Sequence, residues 1–390
     1  MKKRWMCLLA ALALTVGVAA SPLTGDAAPL KADGDGKVVA DGTCSMTVYP
    51  EDQNKPQEER FGEDLAQAGV VVDIYRVADA MKTEGQDACY FEPVDGYDLE
   101  IPAYPKAEDW VRLAQQAART ALGGNGAAEP VERGMAVGTA ITGLDTGLYL
   151  VIARGGALTD TKDYVTEIEQ ETDSQEGEVR LATMANSAQY TYLFAPQLIS
   201  LPDRLTETAE DGTVTNMGDW NYEPVISLKP ERAARYGSLE IVKTLLEHES
   251  MEGIQESVTC VFEVTGELAG ELVYSEVESI TFTEAGRESV VLDQIPALAQ
   301  VTVREVYSGA SYELTVPGDR SATIAADDVV SVEFENVYNG RQTNGHGIKN
   351  QFVRDESGAW LWHSDPTQEA RGNEGLPPVR TGIRPAEEER

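Results

Sequence analysis

The sequence predicts a mainly β chain of two tandem antiparallel sandwiches, the first carrying an inserted helix. Three observations lead there. Short segments rich in β-branched and aromatic residues recur from residue 43 to residue 340. In the second half, apolar and polar residues alternate, as in Cys260-Val261-Phe262-Glu263-Val264, Ser289 to Leu292 and Val329 to Phe334. Helical spacing of apolar residues appears in one stretch, Ala107 to Leu122.

The elements follow in chain order. Residues 1–27 read as a secretory signal. Lys2-Lys3-Arg4 is a basic head, Trp5 to Ala20 is mostly apolar, and cleavage fits after Ala20 or after Ala27. The apolar run is short for a membrane span and ends in small residues, so no membrane span is expected once the signal is cleaved. Cys7 lies near the start of that run, unlike a lipoprotein acceptor. Residues 28–42, small and polar with glycines, form a flexible lead-in.

A first β domain is expected over 43–235. Its strand signals are Cys44 to Tyr49, Val70 to Val77, Gly147 to Ala153 and Tyr190 to Phe194. The helix gathers Trp110, Leu113, Ala114, Ala117 and Ala118 on one side and stops at Gly123-Gly124. Residues 154–186 and 205–218 are acidic and turn-rich, and loops are expected there. The second domain, 236–340, has so many short strands in about a hundred residues that an antiparallel sandwich follows. Over 341–364, Lys349 to Val353 and Ala359 to His363 flank Asp355-Glu356-Ser357-Gly358 as a hairpin. Pro, Gly and charge dominate 365–390, where disorder is expected.

Composition narrows the function classes. With 42% hydrophobic residues, the chain has enough apolar side chains for real cores. A formal charge of −35 argues against nucleic acid or anionic membranes as partners. Three cysteines remain beyond the signal. Cys44 and Cys89 share the first domain and are a candidate disulfide in an oxidising compartment. Cys260, between inward-facing Val258 and Phe262, reads as a buried free thiol. His248, His346 and His363 do not fall at ligand spacings with cysteines, so neither metal nor cofactor is expected. A hydrolase is disfavoured because no Ser/His/Asp or Cys/His pairing and no G-x-S-x-G occurs in a fitting context.

One constellation carries chemistry. Lys243 falls on the same strand face as Leu239 and Ile241, Glu305 on that of Val301 and Val303, and Asn336 on that of Val332 and Phe334. Lys and Glu on apolar faces are unusual unless paired. Alternatively, each strand ends there and the polar groups emerge at the rim. If the three meet in a dry interior, burial favours the free amine and the protonated acid. The amine can then attack the carboxamide carbon while the acid polarises the carbonyl and passes a proton to departing ammonia. The expected arrangement places the three on adjacent strands.

The stretch also resembles a known family. Gly237-Ser238-Leu239-Glu240-Ile241-Val242-Lys243, Phe262-Glu263-Val264, Leu292 to Val303, Arg304-Glu305-Val306 and Phe334-Glu335-Asn336 are similar to the collagen-adhesin B-type domain. This domain is also called SpaA-like or prealbumin-like and occurs in Gram-positive pilins and adhesins. The resemblance implies immunoglobulin-like or prealbumin-like sandwiches and an isopeptide cross-link between Lys243 and Asn336, with Glu305 as the catalytic proton shuttle. The family's E-T-x-A-P-x-G-Y appears as Glu305-Val306-Tyr307-Ser308-Gly309-Ala310-Ser311-Tyr312, without the proline.

Weaker likenesses extend to the first domain. Val72 to Asp79, Gly147 to Val151 and Tyr192 to Pro196 resemble strands of pilin N-terminal modules. No Lys/Glu/Asn trio stands out there, so no second cross-link is expected. Trp220 to Pro230 looks like the pilin motif W-x-x-x-V-x-V-Y-P-K, which would make Lys229 a sortase acceptor; the other reading is an ordinary exposed lysine between domains. Leu376 to Gly382 has the letters of a sorting signal with two extra residues and no apolar stretch after it, and is not counted as one. The resemblance implies a secreted pilin subunit or pilus-associated adhesin of a Gram-positive cell surface. Its partners would be other pilin subunits or surface proteins, possible through sortase, and an unidentified host ligand. A stand-alone adhesin that is not polymerised is the alternative. Apart from the self-directed cross-link, no enzymatic activity is expected.

Overall fold

The computed structural model describes residues 43–82, 88–102, 105–123, 129–172, 175–204, 206–208, 214–216, 219–249, 257–309, 311–339, 351–354 and 360–363. The expected signal (1–27), the expected lead-in (28–42) and the expected disordered tail (365–390) lie outside the described residues.

The first unit contains β1 (Thr43–Tyr49), α1 (Gly62–Gln67), β2 (Val70–Lys82), β3 (Cys89–Pro93), α2 (Ala107–Leu122), β4 (Glu132–Ala136), β5 (Ala140–Asp145), β6 (Gly147–Gly155), α3 (Thr161–Tyr164), β7 (Val165–Thr172), β8 (Gln175–Asn186), β9 (Tyr190–Phe194), β10 (Gln197–Leu201), β11 (Thr206–Thr208), β12 (Val214–Asn216), β13 (Val225–Ser227) and β14 (Glu231–Ala234). Its sheets run β13-β1-β5, β10-β6-β2-β3 with β4 also on β2, and β14-β9-β8-β7. β6 is buried along its whole length because both of its faces are covered. Tyr149, Val151 and Ala153 pack into one core with Met46, Val72 and Ile74. Leu148, Leu150 and Ile152 pack into a second with Leu113, Ala117, Ala118 and Ala121 of α2. A strand covered on both sides favours apolar residues on both faces, which explains the unbroken run Leu148-Tyr149-Leu150-Val151-Ile152.

The inserted helix matches the expected span. Asp109 accepts a hydrogen bond from the Lys106 backbone N–H at 2.9 Å, and Glu108 and Asp109 place negative charge on the first turn. At Gly123 a Cβ would lie 2.5 Å from the Arg119 carbonyl, so the chain leaves the helix on glycine.

Two loop expectations are corrected. Residues 154–186 contain the end of β6, α3 and the long hairpin β7–β8, and residues 205–218 contain the short hairpin β11–β12. Many acidic residues do not prevent pairing where other positions are buried: Leu181, Ala182 and Thr183 of β8 are all shielded. The Cys44–Cys89 disulfide is also corrected, since Cys44 is a buried free thiol. Its side chain points into the core from β1, whereas Cys89 opens β3, opposite Lys82 on a different sheet.

The second unit is a sandwich of two four-stranded sheets. Its strands are β15 (Tyr236–Leu245), β16 (Val258–Leu268), β17 (Glu271–Phe282), β18 (Gly286–Pro296), β19 (Gln300–Tyr307), β20 (Tyr312–Leu314), β21 (Arg320–Thr323) and β22 (Val329–Tyr338). One sheet runs β18-β15-β22-β20 and the other β17-β16-β19-β21. Leu239, Ile241, Cys260, Phe262, Val264, Val301, Val303 and Phe334 fill the space between them. The chain is mainly β in tandem sandwiches, with one departure from antiparallel pairing in each unit among the described residues. The opening strand lies parallel to a late one: β1 beside β13, and β15 beside β22. Such a pairing needs a long crossover, and here the rest of each unit supplies it.

Arg235 is the sole residue between β14 and β15. Its N–H donates to the Gln189 carbonyl and its carbonyl accepts from the Ala297 N–H, both at 2.9 Å. Its guanidinium donates to the Ser187 carbonyl on one side and meets Asp327 at 2.9 Å on the other. Farther on, β23 (Gln351–Arg354) and β24 (Trp360–His363) pair antiparallel, as the expected hairpin requires.

Candidate cross-linking site

The alternation of β15 places Leu239, Ile241 and Lys243 on the inner face, and Lys243 is 0% exposed. In the parallel register, Lys243 lies opposite Phe334 and Leu245 opposite Asn336, so the lysine and the asparagine come from neighbouring strands two positions out of step. Asn336 is likewise 0% exposed. Glu305 comes from β19, where it pairs with Phe262 of β16. The expectation of three adjacent strands is therefore corrected: Lys243 and Asn336 share one sheet, and Glu305 reaches across from the facing one. The interior of a sandwich is the only place where residues of both sheets meet away from water.

The carboxyl of Glu305 bridges the other two side chains. Lys243 Nζ donates to Oε2 at 2.6 Å, and Asn336 Nδ2 donates to Oε1 at 2.6 Å. The lysine and glutamate side chains are both fully shielded. Phe262 and Phe334 wall the amine, each ring centroid 5.8 Å from Nζ. Tyr312 belongs to the same core, its hydroxyl accepting from the Glu249 N–H at 3.1 Å. Burial depresses the pKa of Lys243, and the hydrogen bond and charge of Glu305 oppose that shift.

Two details of the site were not legible in the sequence. The carboxyl touches the nitrogen of the Asn336 amide, and Oδ1 is buried without a hydrogen-bond partner. Cys260, foreseen only as a buried thiol, lies 3.7 Å from Asn336 Nδ2. Burial, with the negative charge of Glu305 adding to it, pushes that thiol up to about 12.

Lys229 stands apart from this trio. It is exposed between β13 and β14, just after Leu228, whose N–H donates to the Tyr49 carbonyl at 2.9 Å. The tract before it alternates, with Tyr222, Ile226 and Leu228 buried and Trp220 packed against the first core. In the first unit the prominent buried polar group is the pair Asp73–Arg154, at 2.7 Å and 3.0 Å, which the sequence reading missed. Gly134 N–H also donates to Asp73 at 2.6 Å, and Arg154 donates to the Leu158 carbonyl at 2.9 Å, so the pair is internally satisfied.

A family described as a domain of unknown function, DUF5979, matches residues 239–339. No curated protein matches the chain in sequence. Solved structures similar to it are Gram-positive pilins and pilus adhesins. GBS52, the minor pilin of Streptococcus agalactiae, is 10% identical, with 79% of this chain and 99% of that one covered and a TM-score of 0.21. The C-terminal fragment of the pilus adhesin SpaC from Lactobacillus rhamnosus GG is 10% identical, covering 76% and 98%, with a TM-score of 0.21. An adhesin from Mobiluncus mulieris containing intramolecular disulfide, isopeptide and ester bond cross-links is 13% identical, covering 76% and 98%, with a TM-score of 0.23.

Proposed function

We propose that this chain is a secreted structural protein of a Gram-positive cell surface, a pilin subunit or pilus-associated adhesin. Its one reaction is on itself, an isopeptide bond between Lys243 and Asn336. The observation that carries this reading is the single carboxyl of Glu305 set between a buried amine and a buried carboxamide, 2.6 Å from each.

The chemistry follows from that position. Transfer of one proton from Nζ to Oε2 converts the ion pair into amine and acid, the form that a dry interior favours. Nζ then bonds to Asn336 Cγ. The neutral Glu305 carboxyl then gives its proton to Nδ2 and takes a second one from Nζ, so it ends as the neutral acid, the form in which it met the attack. The Cγ–Nδ2 bond breaks and ammonia leaves. The product clamps β15 to β22 covalently. Tension on the chain would otherwise fall on ladder hydrogen bonds that contribute about 1 kcal/mol each.

Digestion of the denatured chain followed by tandem mass spectrometry tests the bond: a branched peptide joining the Lys243 and Asn336 segments is expected, and two linear peptides alone contradict it. Assembly rests on Lys229, exposed after an alternating tract that resembles the pilin motif. Incubation with a pilus sortase should give a covalent ladder that Lys229→Ala abolishes. Absence of a ladder favours a stand-alone adhesin.

A further inference from the structure

Asn336 Nδ2 faces three acceptors: Glu305 Oε1 at 2.6 Å, the Ser308 carbonyl at 3.2 Å and Cys260 Sγ at 3.7 Å. A carboxamide can sit in either of two orientations that exchange its nitrogen and oxygen. A carboxyl does not choose between them, because it can accept from the nitrogen or, when protonated, donate to the oxygen. A backbone carbonyl only accepts, so the Ser308 carbonyl attracts Nδ2 and repels Oδ1.

The backbone turns that carbonyl inward at Gly309, whose φ of 93° lies in the region that only glycine adopts without strain. A Cβ there would also lie 2.9 Å from Val258 Cγ1 and 3.1 Å from Tyr312 Cδ2. Cys260 completes the cradle, donating its S–H to the same Ser308 carbonyl at 3.7 Å while its sulfur accepts from Nδ2.

We propose that the Ser308 carbonyl, turned inward by Gly309 and flanked by the Cys260 thiol, is a positioning element that holds the departing nitrogen of Asn336 against Glu305. The proposal rests on the cross-linking reading. It specifies which end of the amide receives the proton: the Glu305 acid protonates Nδ2, the Cγ–Nδ2 bond breaks, and the electron pair on the tetrahedral oxygen re-forms the carbonyl as ammonia departs, while Glu305 takes back a proton from Nζ. No other reactant is consumed.

The test follows loss of ammonia by intact mass in the full chain, recovered unfolded in urea and refolded by dilution. Cys260→Val fills the volume without an acceptor, and Cys260→Ser restores one. Cys260→Val should slow the reaction about threefold to fivefold, the effect of one weak hydrogen bond. Cys260→Ser should react within about twofold of the wild type. Gly309→Ala should slow it about tenfold or more, since it displaces the carbonyl. A role in packing alone would put Val closer to the wild type than Ser. If Gly309→Ala does not refold, the Val and Ser variants decide. Wild-type loss of ammonia with Cys260→Val at the same rate overturns the positioning role. Retention of ammonia by the wild type overturns the cross-linking reading itself.

Discussion

Replacing Asn336 by Ala should remove the clamp while leaving the Lys243–Glu305 pair in place. A bond between positions 243 and 336 closes a loop of about 90 residues, and closing a loop of that length in the unfolded chain stabilises the fold by about 4–5 kcal/mol. Asn336→Ala should therefore lower the melting temperature of the second unit by about 20 °C or more, at about 4–8 °C per kcal/mol for a domain of this size. Glu305→Ala should be lower still. It prevents the bond and also leaves a fully shielded lysine without its counter-charge, a further loss of about 3–5 kcal/mol. Differential scanning calorimetry of the full chain resolves the order wild type, Asn336→Ala, Glu305→Ala. A wild type and an Asn336→Ala variant that melt within about 5 °C of each other would refute the reasoning.

Further outcomes concern groups outside the clamp chemistry. Burial pushes the Cys260 thiol up to about 12 and the Cys44 thiol up to about 11, so iodoacetamide at pH 8 should label neither in the folded chain and both in urea. Labelling of the native protein at the rate of an exposed thiol would contradict this. Burial raises Asp203 from 3.8 to about 6, so the folded chain holds a proton that the unfolded chain has lost. Stability should fall as pH rises through that window. Asp203→Asn should remove the fall, gaining about 1–3 kcal/mol at pH 7 relative to the wild type in urea titrations; parallel pH profiles for the two would exclude it. Asp73→Ala strands the Arg154 guanidinium, which is 6% exposed, and should cost about 3–5 kcal/mol by urea unfolding. A loss below about 1 kcal/mol would mean that Arg154 finds other partners.

The strand faces of the second unit were legible in the sequence because alternation is enforced by burial. Lys243, Glu305 and Asn336 each continue an apolar row, and each points inward. Which strands meet was not legible. Pairing of β15 with β22, and the reach of Glu305 from the opposite sheet, are set by the closure of the whole sandwich and leave no local trace. The same limit explains Asp73 and Arg154, which lie on neighbouring strands and pair only after β2 and β6 are aligned. The acidic stretch 154–186 misled for a different reason. Composition suggests loops, whereas the hairpin is decided by which residues become buried, as Leu181, Ala182 and Thr183 do. Cys44 and Cys89 share a unit, but that is a weaker constraint than a side chain's direction.

The most direct measurement is the intact mass of the purified full chain beside that of its Glu305→Ala variant. The wild type should be lighter by one ammonia than the sequence mass of the residues it retains, and Glu305→Ala should show its full sequence mass. A wild type at full sequence mass would contradict the self-cross-linking account.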